Sequence, residues 1–335
     1  MVDAAEFDYE LPAAAIAQRP VEPRDAARLL VDQGPGTPPA HHVVADLPGL
    51  LAPGDLLVVN DTRVRRARLR LQKATGGAVE VLLVTRLEGG AARWEALVRP
   101  SRRVPEGTVL TGDAGLVVTV GEDLGDGRRV AVVEAGDPEV GGEIPLPPYI
   151  TTPLADPERY QTVFAREAGS AAAPTAGLHL TETVLAGCRE RGIAVAAVEL
   201  VVGLDTFRPI AVADVDDHPM HTEAYAVPEA TWDAVGATRD RGGRVVAVGT
   251  TVVRSLESVA ASGQLSGRTD LFIRPGYEFA AVDRLLTNFH VPRTTLLALV
   301  AAFVGDRWRD LYDLALADGY RFLSFGDAML LDRWN

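Results

Sequence analysis

The sequence predicts an α/β protein: a discontinuous α/β domain with a mostly parallel sheet, plus an inserted small β-barrel domain. Three observations support this fold class. Strand and helix patterns alternate over the second half of the chain, which is typical of a parallel sheet covered by helices. A fully apolar strand pattern near residue 55 is of the same type. Between these regions lie short Val-rich runs separated by Gly, Pro and Asp, a pattern typical of small barrels and sandwiches.

The inserted barrel is predicted to span residues 64–148, so that residues 1–63 and 149–335 form the α/β domain. Asp126 and Gly127 are typical of a hairpin turn. The Ile-Pro-Leu-Pro-Pro run at 144–148 indicates an extended segment at the end of the barrel, because each proline biases the preceding residue away from helix. The predicted barrel strands lie at 79–84, 94–99, 116–120 and 128–134.

In the α/β domain the elements alternate along the chain. A buried strand is predicted at 55–59. Thr181 is placed to cap a helix that runs to Gly192, with Glu182 favourable in its first turn. The remaining predicted elements are a strand at 193–200, a helix from 228 to about 241, a strand at 244–248, a helix at 252–261, a strand at 270–273 and an apolar helix at 294–304.

Composition narrows the class of protein. With 335 residues, 47% of them hydrophobic and 24% charged, the chain is typical of globular proteins. Its single cysteine, Cys188, excludes an intramolecular disulfide and a Cys-rich metal site. The first residues lack the pattern of a signal peptide, and the longest apolar run, 296–304, is too short to span a bilayer. We therefore expect a cytoplasmic protein without a membrane partner; the oligomeric state is not predicted.

Charge is unevenly distributed along the chain. The formal net charge of −13 argues against a polyanionic partner. However, residues 61–103 contain eleven Arg or Lys and four acids, a local charge of +7, which leaves −20 for the rest. This basic segment indicates either a solvated strand surface or a surface that binds nucleic acid.

Familiar nucleotide and hydrolase motifs are missing from the sequence. It contains no G-x-G-x-x-G after a strand, no P-loop, no H-E-x-x-H and no G-x-S-x-G. Dehydrogenases, P-loop enzymes and α/β-hydrolases are therefore disfavoured. Five polar clusters, at predicted strand ends or helix starts, remain as candidate sites.

The first cluster follows the predicted strand at 55–59. Asn60, Asp61, Thr62 and Arg63 stand where open α/β sheets place their ligands. An Asx turn leaving the strand explains the same residues.

The second cluster is the Ala-Pro-Thr-Ala-Gly-Leu-His run at 173–179. Small residues such as Gly177 let backbone amides approach a ligand, beside the Thr175 hydroxyl. His179 titrates near neutral pH and can exchange a proton, although a structural histidine is the alternative.

The third cluster, at 217–223, contains His218, His221 and Glu223. These residue types serve as metal ligands or as an acid–base set. Their spacing fits no standard zinc site, and a solvated turn is the alternative.

The fourth cluster joins the predicted strand at 244–248 to the following helix. Gly249, Thr250 and Thr251 begin that helix, and Arg254 lies one turn later. Free N–H groups and the helix dipole converge at such a start, which makes it suitable for a phosphate or a carboxylate. Simple capping of the helix by Thr251 is the alternative.

The fifth cluster is Asn288-Phe289-His290 before the apolar helix. His290 is a further candidate acid or base. Upstream, Tyr277 and Phe279 offer a stacking surface or, alternatively, part of a packed core.

Together, and in this order, the clusters resemble the S-adenosylmethionine:tRNA ribosyltransferase-isomerase family of queuosine biosynthesis. The resemblance covers nearly the whole chain and includes Gly-Asp-Leu-Leu-Val-Val-Asn-Asp-Thr-Arg-Val at 54–64 and Thr-Asn-Phe-His at 287–290. Each fragment alone is weak, whereas twelve in register are specific. The other ten lie at 7–12, 17–20, 23–25, 142–150, 160–164, 172–179, 220–223, 246–258, 275–279 and 320–329.

The resemblance implies an α/β domain with a β-barrel and an unusual use of S-adenosylmethionine. The family transfers the ribosyl moiety of this co-substrate to 7-aminomethyl-7-deazaguanine at the wobble position of the tRNA anticodon. Isomerisation gives epoxyqueuosine, and adenine and methionine are released. The resemblance gives no reason to expect a metal.

This chemistry requires a base for a C5′ proton, an acid for the leaving adenine and a neutral attacking amine. The candidates for proton transfer are His179, His221 and His290, with Glu223 and Asp61 as carboxylates. The methionine carboxylate is expected on the turn of Gly249, Thr250 and Thr251 beside Arg254. Further candidate contacts to the co-substrate are Asn60, Thr175, Gly177 and Tyr277.

A tRNA partner gives the basic segment a function. Its positive charge would meet the RNA backbone, and this binding would weaken with salt because phosphate contacts release counterions. The candidate RNA contacts are Arg63, Arg65, Arg66, Arg99, Arg102 and Arg103.

The chain departs from the family pattern at four positions. A family histidine is replaced by Val201, and a family glycine by Asp205. Val252 replaces the usual serine, and Arg274 the usual aromatic residue. These differences leave two alternatives to the tRNA-modifying enzyme: a paralogue that cleaves or rearranges S-adenosylmethionine on a small acceptor, and a catalytically silent RNA-binding homologue.

Overall fold

The fold is taken from a computed structural model, which describes residues 3–87, 92–125, 127–166, 168–203, 210, 212, 214–220 and 222–334. The chain divides into two compact units. The first comprises residues 1–63, 148–167 and 173–335, and the second residues 64–147 and 168–172.

Seventeen strands lie in the described part of the chain. In order they are β1 (Arg28–Val31), β2 (Ala40–Val43), β3 (Leu56–Asn60), β4 (Arg63–Val64), β5 (Arg68–Lys73), β6 (Ala78–Arg86), β7 (Arg93–Arg99), β8 (Val109–Gly112), β9 (Val117–Gly125), β10 (Arg128–Ala135), β11 (Ala168–Ser170), β12 (Ala194–Leu200), β13 (Glu223–Ala226), β14 (Val245–Val248), β15 (Ser266–Thr269), β16 (Arg284–Asn288) and β17 (Ala328–Asp332).

Seven α-helices and several 3-10 helices lie in the same residues. The α-helices are α1 (Leu47–Leu50), α2 (Pro138–Gly141), α3 (Glu182–Glu190), α4 (Glu229–Asp240), α5 (Thr250–Ser262), α6 (Thr295–Val304) and α7 (Arg307–Ala317). The 3-10 helices are Ala4–Phe7, Ala13–Ala15, Arg24–Ala26, Val44–Asp46, Ser101–Arg103, Asp113–Gly115, Pro157–Tyr160, Thr175–His179 and Val215–Asp217.

The first unit is built on a nine-stranded mixed sheet in the order β15-β13-β12-β3-β14-β16-β17-β1-β2. The four central strands β12, β3, β14 and β16 are parallel, with Val58 of β3 paired to both Ala196 and Ala247. Strand β17 runs antiparallel to β16, and β1 is parallel to β17. The carboxyl ends of the central strands and the amino end of β17 therefore lie at one edge of the sheet.

Burial explains why the central strands are almost continuously apolar. Every residue of β3, β14 and β16 is buried, as expected for parallel strands covered on both faces. Asn60 ends β3 and ties it to β12, because its Nδ2 donates to the Leu200 carbonyl at 3.1 Å and its Oδ1 accepts from the Leu200 N–H at 3.3 Å.

The second unit is a closed antiparallel barrel in the order β10-β7-β6-β5-β8-β9. Alternation along β7 shows how it closes around a core: Trp94, Ala96 and Val98 are buried, whereas Glu95 and Leu97 between them are not. Strands β4 and β11 form a separate two-stranded sheet.

The predicted fold class is confirmed, with parallel pairing concentrated in the four central strands. Thr181 caps α3 as predicted, since its Oγ1 accepts from the Val184 N–H at 3.2 Å, although the helix ends at Glu190, two residues before the predicted Gly192. The hairpin residue Asp126 lies outside the described residues.

The strand predicted at 270–273 is wrong. The edge strand β15 lies at Ser266–Thr269 instead. Within the described residues, the backbone of Leu271 is hydrogen-bonded to side chains and not to a neighbouring strand. Its N–H donates to Thr269 Oγ1 at 3.1 Å, and its carbonyl accepts from Arg254 Nε at 3.2 Å. An apolar run is therefore a poor predictor at this sheet edge, where the actual strand is polar and mostly exposed.

Candidate active site

A pocket of about 580 Å³ lies in the first unit, at the carboxyl edge of the central strands. Its position is the one at which open α/β sheets bind ligands. Its lining is uncharged: Tyr149, Ala173, Pro174, Thr175, Ala176, Val202, Gly249, Thr250, Thr251, Thr287, Asn288, Phe289, His290, Val291, Thr294, Leu296, Leu323 and Ser324.

The start of α5 forms one wall of this pocket. Gly249 turns the chain from β14 into the helix at a φ of +91°, in the left-handed region that favours glycine. A Cβ there would contact the Ala176 side chain at 3.4 Å. Thr251 is 9% exposed, and its buried Oγ1 has no hydrogen-bond partner within the described structure. A free hydroxyl at a helix start is suited to an anionic ligand group.

Asn288, at the end of β16, organises a neighbouring part of the lining. Its Oδ1 accepts from Thr175 Oγ1 at 2.9 Å, and its Nδ2 donates to the Leu323 carbonyl at 3.3 Å and to His179 Nε2 at 2.9 Å. These partners fix the orientation of the amide. Both Nδ2 hydrogens are used, whereas Oδ1 retains capacity to accept another hydrogen bond.

The protonation state of His179 follows from this network. Nδ2 of Asn288 is only a donor, so Nε2 of His179 is unprotonated and the neutral ring carries its hydrogen on Nδ1. Burial, together with the charges of Arg321, Arg159 and Arg24, lowers the pKa of His179 to about 4. The imidazole is therefore neutral near pH 7.

His290 is the histidine that lines the pocket. Its Nε2 is 2.9 Å from Thr287 Oγ1, and its backbone is held by two tyrosines: the N–H donates to Tyr312 Oη at 2.9 Å, and the carbonyl accepts from Tyr9 Oη at 2.6 Å. Burial lowers the pKa of His290 to about 3. Near neutral pH the imidazole is therefore neutral, and burial disfavours its protonated form.

Glu223 and Arg254 pair with each other and are not among the pocket-lining residues. Arg254 Nη1 donates to Glu223 Oε2, and Glu223 Oε1 accepts from the Gly203 N–H at 2.9 Å. The rest of the guanidinium donates to the carbonyls of Leu271 and Thr269. Arg254 therefore joins α5 to β13 and β15. The contact predicted from the sequence was to the methionine carboxylate of the co-substrate.

Besides His179, four other predicted site residues also lie outside the pocket lining. The amide of Asn60 is occupied at the end of β3, and the Asp61 carbonyl accepts from the Arg166 N–H at 2.8 Å. A Cβ on Gly177 would lie 2.8 Å from Phe164, so this glycine permits close packing. Tyr277 donates to Glu257 Oε2 at 3.2 Å.

Some predictions cannot be placed. His221 and Asp205 lie outside the described residues. Of the other departures from the family pattern, Val252 is fully buried in the first turn of α5, and the Val201 N–H donates to the Ala224 carbonyl at 2.9 Å. Arg274 is half-buried.

The predicted RNA-contacting arginines divide into two groups. Arg63 forms an ion pair with Glu158 at 2.7 Å, and Arg65 lies 3.5 Å from Glu139 and 4.0 Å from the centre of the Trp94 ring. Exposed side chains form the second group, which comprises Arg66, Arg99, Arg102 and Arg103.

Three members of the second group lie together at one end of the barrel. Arg99 ends β7, and Arg102 and Arg103 follow in the next 3-10 helix. Lys73 at the end of β5 donates to the Arg103 carbonyl, which adds a fourth cation. Residues 64–147 as a whole contain twelve Arg or Lys and twelve Asp or Glu. The barrel is therefore formally neutral, with a local cationic end.

Several residues of the pocket lining were not predicted from the sequence. Asn288 stood in a candidate cluster without an assigned function, and Thr287, Tyr149 and Ser324 were not singled out. Tyr149 Oη and Ser324 Oγ are 2.7 Å apart although 175 residues separate them in the chain. Their only sequence signal was their position in segments that resemble the family.

The described residues show neither a metal-binding cluster nor a membrane-spanning helix. They contain no group of three or more His, Cys, Asp or Glu side chains arranged to hold a metal ion. Among the same residues, no helix combines the length and apolar character needed to cross a membrane.

Comparisons with known proteins agree with the fold. Residues 4–331 match the family described as queuosine biosynthesis protein. The S-adenosylmethionine:tRNA ribosyltransferase-isomerase of Moorella thermoacetica is 55% identical over 97% of this chain and 98% of that protein. The protein of the same name from Rubrobacter xylanophilus is 53% identical over 97% of this chain and 96% of that protein. The crystal structure of S-adenosylmethionine tRNA ribosyltransferase from Thermotoga maritima has a TM-score of 0.57 and 39% identity, covering 97% of this chain and 99% of that chain.

The chain belongs to the queuosine biosynthesis protein family, whose curated relatives are named S-adenosylmethionine:tRNA ribosyltransferase-isomerase. The predicted family and the prediction of an enzyme are thereby confirmed.

Proposed function

We propose that this protein transfers and isomerises the ribosyl moiety of S-adenosylmethionine onto 7-aminomethyl-7-deazaguanine at the anticodon wobble position of tRNA. The product is epoxyqueuosine in tRNA, and adenine and methionine are released. The observation that supports this most strongly is the family match over residues 4–331, together with relatives of that name covered almost end to end.

The pocket at the carboxyl edge suits S-adenosylmethionine in its donor chemistry. The methionine carboxylate is assigned to the start of α5, where Thr251 Oγ1 lacks a partner and the helix dipole favours an anion. Thr250 lines the pocket beside it. Arg254 is not included in this carboxylate site, because Glu223 and two carbonyls occupy its guanidinium.

His290 is assigned the proton transfers. The sulfonium acidifies the adjacent C5′ hydrogens, and the neutral imidazole in the pocket wall accepts one of them. The imidazolium that results is disfavoured by burial and returns a proton readily. The departing adenine takes that proton as its glycosidic bond breaks. One histidine thus serves first as base and then as acid, since both His179 and His290 are neutral at the outset near pH 7.

Asn288 is assigned the orientation of a substrate N–H group. Its Oδ1 is the atom with remaining acceptor capacity, and Thr175, Leu323 and His179 hold the amide in one orientation. The substrate groups suited to this oxygen are the adenine amino group and the aminomethyl nitrogen.

The barrel is assigned to tRNA docking through its cationic end. Arg99, Arg102 and Arg103 are exposed, and phosphate contacts from such side chains supply affinity without reading sequence. Binding that does not weaken with salt would contradict this assignment.

One assay tests the proposal as a whole. The protein is incubated with S-adenosylmethionine, with and without tRNA that carries the aminomethyl-deazaguanine, and both adenine release and tRNA mass are measured. We expect adenine release that depends on the tRNA, with a matching gain in its mass. Adenine without a tRNA adduct would indicate a small acceptor instead, and no adenine under any condition would refute an active enzyme.

A further inference from the structure

A second, smaller cavity of about 220 Å³ lies in the first unit behind Asn288. It shares Ser324 with the main pocket and is otherwise lined by different residues. Its polar lining is Arg24, Arg159, His179 and Ser324, and its apolar lining is Pro20, Val21, Leu178 and Phe325. We call it the arginine cavity.

Two arginines supply the positive charge in the lining of this cavity. Arg24 donates to the carbonyls of Gln161 at 2.5 Å and Glu158 at 3.1 Å. The carboxylates of Glu22, Asp156 and Glu158 act on its charge from a distance. Arg159 is 13% exposed; its Nε pairs with Glu22 at 2.5 Å. Its buried Nη1 has no hydrogen-bond partner in the described part of the chain.

His179 contributes a further donor. Because Asn288 donates to its Nε2 at 2.9 Å, the neutral ring carries its hydrogen on Nδ1. The charges that act on this ring are all positive: Arg321, Arg159 and Arg24 each lower its pKa, and no acid opposes them. The arginine cavity thus combines two guanidinium groups, an imidazole N–H and a serine hydroxyl without an acidic side chain in its lining.

We propose that the arginine cavity binds a phosphodiester group of the RNA backbone beside the target nucleotide. Guanidinium groups match the oxygens of a phosphate in geometry as well as in charge. An enzyme that modifies a base takes that base into its pocket, which brings the flanking phosphates to neighbouring surfaces. Ser324 borders both cavities, so the phosphate site and the chemical site adjoin. The methionine carboxylate is assigned above to the start of α5, whose Gly249, Thr250 and Thr251 do not line the arginine cavity.

This inference also changes the function assigned to His179. The residue becomes a phosphate ligand and a positioning residue for Asn288, rather than the acid or base of the reaction. The inference rests on the proposed function, because it requires tRNA as the substrate.

The test measures tRNA binding without S-adenosylmethionine at several salt concentrations. Arg159→Gln removes the charge, Arg159→Lys keeps it, and Arg191→Gln is the matched control. Arg191 is exposed and directly follows α3, before the amino end of β12, at the edge of the sheet opposite the pocket. We expect Arg159→Gln to weaken binding by roughly tenfold and to reduce the slope of log K against log salt by about 0.7–0.9. Arg159→Lys should retain the slope, and Arg191→Gln should match the unaltered protein.

A chemical change in the RNA identifies the contact. Methylphosphonate linkages, which are neutral, replace the two phosphates that flank the target nucleotide. The unaltered protein should lose about the same affinity on this RNA as Arg159→Gln loses on ordinary RNA, and the variant should lose little more. Fully additive losses, or an unchanged salt slope in Arg159→Gln, would overturn the proposal.

Two further measurements separate its failure from that of the proposed function. If Arg159→Gln weakens S-adenosylmethionine binding in the absence of RNA, and not tRNA binding, the cavity holds the methionine carboxylate and the inference is wrong. If the unaltered protein does not bind tRNA, the proposed function itself fails. Should Arg159→Gln not fold by circular dichroism, Arg24→Gln carries the same test on the other guanidinium of the cavity.

Discussion

Replacing Thr251 with valine should stabilise the free protein and weaken its hold on S-adenosylmethionine. The buried Oγ1 of Thr251 has no hydrogen-bond partner among the described residues, and leaving such a group unsatisfied costs about 1–3 kcal/mol. Valine keeps the β-branched shape and removes the unsatisfied oxygen. We therefore expect a gain of about 1 kcal/mol in the free energy of unfolding, equivalent to about 2–4 °C in Tm for a domain of roughly 250 residues.

Binding should change in the opposite direction. A hydrogen bond to a charged group contributes about 1.5–3 kcal/mol, so loss of the hydroxyl should raise the Kd for S-adenosylmethionine by about 10- to 150-fold. Differential scanning calorimetry of the free protein and isothermal titration calorimetry with S-adenosylmethionine measure the two effects separately.

Thr181→Val is the matched control. The Thr181 hydroxyl accepts from the Val184 N–H at 3.2 Å and donates to Asp25 Oδ2 at 2.9 Å, so the same substitution there should destabilise the protein by about 1–2 kcal/mol. It should leave the Kd for S-adenosylmethionine unchanged. If Thr251→Val lowered Tm as Thr181→Val does, or left the Kd unaltered, the assignment of the carboxylate to the start of α5 would be refuted.

Three further changes are predicted. His290→Gln should reduce adenine release by about 10²–10⁴-fold. It should also flatten the loss of stability at acid pH. Burial lowers the pKa of His290 to about 3 in the folded protein, so between pH 6.5 and 3 the unfolded chain binds a proton that the folded protein does not, and the folded state loses stability as the pH falls. Parallel pH profiles of Tm for both proteins would argue against this burial. Glu257→Gln should lower the free energy of unfolding by about 2–4 kcal/mol in chemical denaturation. The carboxylate accepts hydrogen bonds from three backbone N–H groups at 2.9–3.1 Å, and the NH2 group of glutamine would face one of these donors with another donor. A loss below 0.5 kcal/mol would contradict the buried network. Replacing Arg102 and Arg103 with Gln should lower tRNA affinity and reduce its salt slope by up to about 0.9 per phosphate contact, and an unchanged slope in filter binding would exclude the cationic end of the barrel as the docking surface.

The sequence predicted the elements whose periodicity is strong. Val245–Val248 and Ala194–Leu200 are apolar strands bounded by helices with recognisable starts, and both were expected. Edge elements were harder, because Ser266–Thr269 is a polar strand that pairs only with β13. Strands β1 and β17 also escaped prediction, and their pairing with each other joins residues 299 apart in the chain, such as Leu30 and Met329.

The sequence indicated which segments form the pocket, but it did not indicate which side chains contact each other there. Gly249, Thr251 and His290 do line one pocket. Arg254 and Glu223 do not line it, because these two buried and oppositely charged side chains form an ion pair with each other. No local pattern could show that Asn288 would bond to Thr175 and His179, which lie 113 and 109 residues earlier.

The pairing of β1 with β17 has a consequence for the order in which the protein forms during synthesis. Leu30 is paired with Met329, so β1 can pair early with its neighbour β2, whereas its pairing with β17 forms only after residues 328–332 have been synthesised. The barrel strands, by contrast, all lie between Arg68 and Ala135 and can assemble while translation continues. A chain interrupted before residue 328 would therefore carry a finished barrel beside an open sheet, with the apolar edges of β1 and β16 exposed to aggregation.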